Sequence, residues 1–231
     1  MAASHTGDRS EVGDGRRRSR TGGPGGALLV VDLQPDFLPG GQLPVPDGDV
    51  ILPGIAGLMR SGAFDVLVAT QDWHPPGHAS FASSHEGREP METIELYGHE
   101  QILWPDHCVQ ETAGAELEPG LPWNRADVII RKATDPEVDS YSTFRDNWGP
   151  KGDRPSTGLA GLLRDRGIET VFLCGLARDF CVRWSAEDAV DAGFATTVIW
   201  DLTRGVEPDS DDDVRAALLG KGVQMLSSGD L

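Results

Sequence analysis

The sequence predicts an α/β domain, doubly wound, with a mainly parallel six-stranded sheet and helices on both faces. Two observations carry this. Six short runs rich in Val and Ile, each bounded by Gly, Pro, Asp or Asn, read as strands buried on both faces. Longer amphipathic or loop segments separate them, the alternation expected of parallel strands joined by crossover helices. In chain order the runs are ALLVVD, DVLVATQ, DVIIRK, TVFLCG, TTVIWD and VQML. The intervening segments 49–59, 156–166, 179–192 and 211–219 read as helices, with Ser156 and Asp179 placed as N-caps and Gly193 just beyond a C-terminus.

With 231 residues, 39% of them hydrophobic, the chain can build one sizeable core, so residues 27–231 are read as one domain. Residues 1–26 are rich in Gly, Ser and Arg without apolar periodicity, the composition of a disordered tail. The Arg cluster at 16–20 precedes an apolar run that meets Asp32 at once, which argues against an export signal. A net charge of −17 disfavours nucleic-acid partners, whose affinity comes largely from Lys and Arg at phosphates. No apolar run approaches the ~20 residues of a membrane span. Three cysteines, Cys108, Cys174 and Cys181, cannot form a disulfide framework and fit a reducing cytoplasm. Self-association into a homo-oligomer is compatible with all of this.

The long segment 72–124 lacks strong periodicity and is rich in Pro, Gly and His, which inside a compact domain suggests a functional loop. In open parallel sheets ligands sit outside the carboxyl ends of the strands. Asp32 ends the first predicted strand, Asp72 follows the second, Lys132 ends the third, and Cys181 opens the helix after the fourth. Any one of these alone would be an ordinary cap or surface group; together they deliver carboxylate, amine and thiol to one edge. Cys181 at a helix N-terminus should have a lowered thiol pKa. Asp32 can serve as proton acceptor and donor, and Lys132 as the cation that favours thiolate. Cys174, inside VFLCG, reads as a buried small hydrophobe, and Cys108 as packing or a metal neighbour.

A second constellation lies in DWHPPGHASF and the later WPDHC. Asp72 and His74, one residue apart on extended chain, point to the same side, and His107 can fold back to them. Two imidazoles and a carboxylate suit one divalent metal ion, Zn, Fe or Mn, with open positions for water or substrate. His78 is a fourth ligand or an outer partner. Five of the six histidines fall in this region, which favours a metal site; His85 and His99 stay unassigned.

In this order and spacing, VVDLQPDF, TQDWHPPGHASF, LWPDHCVQ, RKATDPEVDSYSTF and GLARDFCV resemble the signatures of the nicotinamidase family within the isochorismatase-like hydrolases. The resemblance implies Asp32, Lys132 and Cys181 as catalytic triad and Asp72, His74 and His107 as metal ligands. It implies that the metal meets the pyridine nitrogen of nicotinamide, directly or through water, and that Phe37 and Trp104 flank the ring. It also implies a cis peptide between Leu176 and Ala177, with the N–H groups of Ala177 and Cys181 as oxyanion hole. Arg178 departs from the pattern, where Thr is more familiar. The implied activity is hydrolysis of nicotinamide to nicotinate and ammonia through a thioester. Two other readings are an amidase of the same superfamily acting on a carbamoyl or ureido substrate, and a catalytically silent metal-binding or redox-sensing domain.

Overall fold

A computed structural model of the chain describes residues 25–231; of the expected disordered tail, 1–26, residues 1–24 lie outside the described residues, while the Gly25 and Gly26 N–H groups donate to the Ala63 carbonyl and the Asp65 carboxylate. All six predicted strands form one parallel sheet: β1 (Ala27–Val31), β2 (Val66–Asp72), β5 (Val128–Lys132), β6 (Thr170–Leu176), β7 (Ala195–Arg204) and β8 (Gln224–Leu226). Their order is β5-β2-β1-β6-β7-β8, so the chain winds outward to one side of β1 and then to the other. The reversal lies between β1 and β6, where a doubly wound sheet opens its binding crevice.

The side-chain alternation of the strands divides the core. Leu28 and Val30 of β1 pack with Leu67, Phe172, Cys174 and Ile199 against helix α1 (Leu52–Ser61) through Ile55, Ala56 and Met59. Ala27, Leu29 and Val31 face the other way, with Val68, Val171, Leu173 and Val198. That face is covered by α2 (Leu159–Asp165), α3 (Arg183–Asp191) and α4 (Asp211–Gly220), through Leu159, Leu163, Ala186, Ala189, Val214 and Leu218. Period-2 strands meeting apolar helical stripes on both sides explain why every β1 and β2 residue is buried.

Three details differ from the sequence reading. Segment 72–124 contains an antiparallel hairpin, β3 (Thr93–Leu96) and β4 (His99–Ile102), closed by Tyr97 and Gly98 with φ of 54° and 81°. Two positive φ values in a two-residue loop suit a primed turn, but Tyr-Gly lacks the Asn-Gly or Asp-Gly signature that would reveal it. Ser156 is not an N-cap: α2 begins at Leu159, and the Ser156 hydroxyl accepts the Gly158 N–H at 3.1 Å instead. Asp179 is not one either, because its carboxylate accepts the N–H groups of Val206 and Glu207 at 3.0 and 2.8 Å, tying the turn after β6 to the loop after β7. Gly193, with φ 89°, does follow the end of α3 as expected.

Gly175 fixes how closely β1 and β6 approach beside the crevice. Its φ is 113°, and a Cβ there would run into the backbone carbonyl of Val31. Gly175→Ala should therefore cost about 3 kcal/mol, combining backbone strain with a clash that no flexible side chain can relieve. A urea unfolding midpoint unchanged by this substitution would contradict that reading.

Candidate active site and metal centre

Four strand ends converge on one buried polar cluster at the carboxyl edge of the sheet. Asp32 follows β1 directly, in the left-handed region at φ 46°, and its N–H donates to Thr70 Oγ1 at 3.0 Å. The Thr70 hydroxyl in turn donates to Asp32 Oδ1 at 2.6 Å, so the carboxylate is fixed from neighbouring β2. Lys132 ends β5 in register with Asp72 at the end of β2. Its ammonium forms an ion pair with Asp32 Oδ2 at 2.8 Å, donates to the Ser140 carbonyl at 3.0 Å and to Asp72, and lies 3.5 Å from Cys181 Sγ. The carboxylates of Asp32 and Asp72 and the Cys181 thiol come within 4.8 Å of one another, with the ammonium among them. Lys132 is 1% exposed although β5 is an edge strand, because the segment through Ser140 folds over it.

Cys181 lies in a π-helical turn, Arg178–Val182, that precedes α3, and the Leu176–Ala177 peptide before it is cis. The expected lowering of its thiol pKa by a helix terminus does not hold. Burial pushes the thiol well above its ordinary value, and Lys132 opposes this without overcoming it. Burial also raises Asp32, to about 6, against the pull of Lys132 and with the push of Asp72. The resting state thus holds a protonated thiol beside a carboxylate of near-neutral pKa. Cys108 and Cys174 are free, buried and pushed up by burial, as befits packing residues.

A strand-like extension of β2 recruits His107. His74 donates its N–H to the Cys108 carbonyl at 3.0 Å, and Gln110 donates back to the His74 carbonyl at 2.8 Å. The Cys108 N–H donates to the buried Asp36 carboxylate at 2.7 Å, which ties this turn to the segment carrying Phe37. His107 Nδ1 is 2.8 Å from the Pro105 carbonyl, leaving Nε2 directed at Asp72 Oδ2, 3.8 Å away. Ligand atoms of Asp72, His74 and His107 lie within 4.8 Å of one another, all buried. Among the described residues neither ring nitrogen of buried His74 has a hydrogen-bond partner. Orphaned nitrogens in a His, His, Asp group are what a divalent metal would satisfy, so these residues fit one. His78 does not offer a free nitrogen. Its Nδ1 meets Ser80 Oγ at 2.8 Å and its Nε2 the Asp135 carbonyl at 2.9 Å.

Phe37 and Trp104 both lie close to this group, with ring centroids 5.4 and 6.4 Å from that of His107. Trp104 Nε1 donates to Tyr141 Oη at 3.0 Å, and Phe180 packs edge-on against the Trp104 ring. Arg178 points away from the site: it donates to the Thr203 hydroxyl and to the carbonyls of Trp200 and Thr203, and it pairs with Asp211. It anchors the turn bearing Cys181 to β7 and α4. Sequence reasoning missed Thr70, Tyr141, Phe180 and Asp139, the last with its Oδ1 3.5 Å from His74 Nε2. Thr and Tyr inside apolar or loop sequence carry no spacing signal, whereas the acid in VDSYS stood out only as one of many.

If Lys132 is the cation that favours thiolate, Lys132→Met must raise the Cys181 pKa further. The alkylation of Cys181 by iodoacetamide should then shift its pH profile to higher pH. An unmoved profile in a folded variant would remove the electrostatic role. Some loss of stability, about 3 to 5 kcal/mol, is expected because Asp32 and Asp72 lose their buried counter-ion.

The isochorismatase domain family matches residues 26–229. The nicotinamidase of Acinetobacter baylyi is 46% identical over 207 residues, 89% of this chain and 94% of that protein. The solved structure of the Acinetobacter baumanii nicotinamidase/pyrazinamidase superposes with a TM-score of 0.84 at 44% identity, covering 91% of this chain and 99% of that one. The pyrazinamidase of Pyrococcus horikoshii, solved in complex with zinc, gives 0.69 at 38% identity over 87% of this chain and 98% of that one. The six-stranded parallel sheet, the converging strand ends and these likenesses agree: the chain belongs to the isochorismatase family of hydrolases, among its nicotinamidases.

Proposed function

We propose that this protein hydrolyses nicotinamide to nicotinate and ammonia, with Cys181 as nucleophile and Asp32 as proton carrier. The observation that carries the reading is the Asp32, Lys132 and Cys181 cluster, buried at the sheet edge beside a His, His, Asp group that has Phe37 and Trp104 near His107. Its likeness to proteins named nicotinamidase supplies the substrate. The three free cysteines suit the reducing cytoplasm that we infer as its location; no helix among the described residues is long and apolar enough to cross a membrane.

Asp32 takes the thiol proton as sulfur attacks the carboxamide carbon, and Lys132 offsets the charge left among the acids. The N–H groups of Ala177 and Cys181 receive the oxyanion of the tetrahedral intermediate. Asp32 returns the proton to nitrogen as the C–N bond breaks, releasing ammonia and leaving a thioester on Cys181. Asp32 then takes a proton from water, whose oxygen attacks the thioester; the C–S bond breaks, nicotinate leaves and sulfur is reprotonated. Phe37 and Trp104 hold the ring by its faces. A divalent cation on Asp72, His74 and His107, Zn, Fe or Mn, would bind the ring nitrogen, directly or through water, and so orient the carboxamide.

Ammonia release from nicotinamide by the purified protein, before and after chelation, tests the function. Release that chelation suppresses supports it; none from nicotinamide but release from a ureido or carbamoyl substrate would favour the other amidases of the superfamily. Cys181→Ala should abolish release while retaining metal, and substantial residual turnover would overturn the nucleophile. Because the working base is ionised Asp32, kcat/KM should fall on the acidic side with an apparent pKa near 6. Activity undiminished well below that pH would assign the proton transfer elsewhere.

A further inference from the structure

The loop between Lys132 and Tyr141 does more than cover Lys132. It carries Asp139, whose carboxylate is 3% exposed and fixed at both oxygens: Oδ1 accepts the Ser140 N–H at 2.8 Å, and Oδ2 accepts Gln101 Nε2 at 2.8 Å from the β3-β4 hairpin. So restrained, Oδ1 faces His74 Nε2 at 3.5 Å, close to a ring whose nitrogens have no hydrogen-bond partner among the described residues. The same loop is tied to the metal-binding strand extension by His78, whose Nε2 reaches the carbonyls of Asp135 and Val138 at 2.9 and 3.3 Å. The His78 ring stands edge-on to that of His74, with centroids 4.6 Å apart. The His74 ring is therefore close to Asp72 and His107 and also to Asp139 and His78.

We propose that Asp139 is a positioning residue of the metal centre, holding the His74 imidazole in the orientation that presents it to Asp72 and His107 and adding a fixed negative charge beside the cation. This rests on the reading of Asp72, His74 and His107 as ligands. Outer carboxylates of this kind orient a ligating imidazole and raise its basicity, and their loss costs roughly 10 to 100-fold in metal affinity. The β3-β4 hairpin gains a task by the same reasoning: through Gln101 it braces Asp139, and through the Gln101 contact to Tyr141 Oη at 3.3 Å it joins the wall that holds Trp104.

Zinc affinity of the full chain, measured by competition with a chromophoric chelator, tests this without reference to turnover. The wild type should bind one zinc per chain; failure to do so would overturn the ligand reading and this inference with it. Asp139→Asn should weaken binding by roughly 10 to 100-fold, with the melting temperature of the metal-free protein little changed. Gln101→Met, which keeps the carboxylate but frees one oxygen, should weaken it by a smaller factor and serves if Asp139→Asn does not fold. Wild-type binding with affinity unchanged in the folded variants would leave the ligands standing and remove Asp139 from the metal centre.

Discussion

The ammonium of Lys132 is the interaction on which the rest of the site depends. Placed at the end of an edge strand and nearly sealed from solvent, it is joined to Asp32, Asp72 and the Ser140 carbonyl and lies against the Cys181 thiol. Burying a charge is costly unless it is paired and hydrogen-bonded, and here each contact comes from a different strand end or loop. The ion cluster is thus a lock between β1, β2, β5 and the turn after β6. It also couples the two halves of the chemistry, since Lys132 touches the proton carrier and one member of the metal group at once.

The electrostatics result from that sharing. Burial lifts the thiol and the Asp32 carboxyl together. Burial would lift Asp72 and Asp139 as well, but the groups beside them hold both low: chiefly Lys132 for Asp72, and His74 for Asp139, at about 2. Acids in one cavity are separated into an ionised set that can receive a cation and a near-neutral group that can move a proton. The thiol needs no standing negative charge in this arrangement; its proton moves to Asp32 as sulfur attacks.

Much of this was legible in the sequence because it obeys simple periodicities. Six Val- and Ile-rich runs correspond to the six parallel strands, and the polar residues at or just beyond their carboxyl ends include Asp32, Asp72, Lys132 and Cys181. His107 was readable as a ligand only from the clustering of histidines and the later resemblance, and the structure brings it to Asp72 through backbone pairing that no local pattern encodes. The β3-β4 hairpin was hidden by its Tyr-Gly turn. The thiol pKa was misjudged because a helix-terminus argument takes no account of burial, which is set by the whole fold. Thr70, Asp139 and Tyr141 act through partners distant in sequence, so only the folded chain reveals them.

The central claim is that sulfur of Cys181 carries the acyl group during turnover. Acid quenching of the protein while it turns over saturating nicotinamide, followed by mass analysis of its peptides, tests this directly. The account predicts a nicotinoyl group on the peptide bearing Cys181, lost on treatment with hydroxylamine as a thioester is. A nicotinoyl group on any other residue, or no trapped group under those conditions, would contradict it.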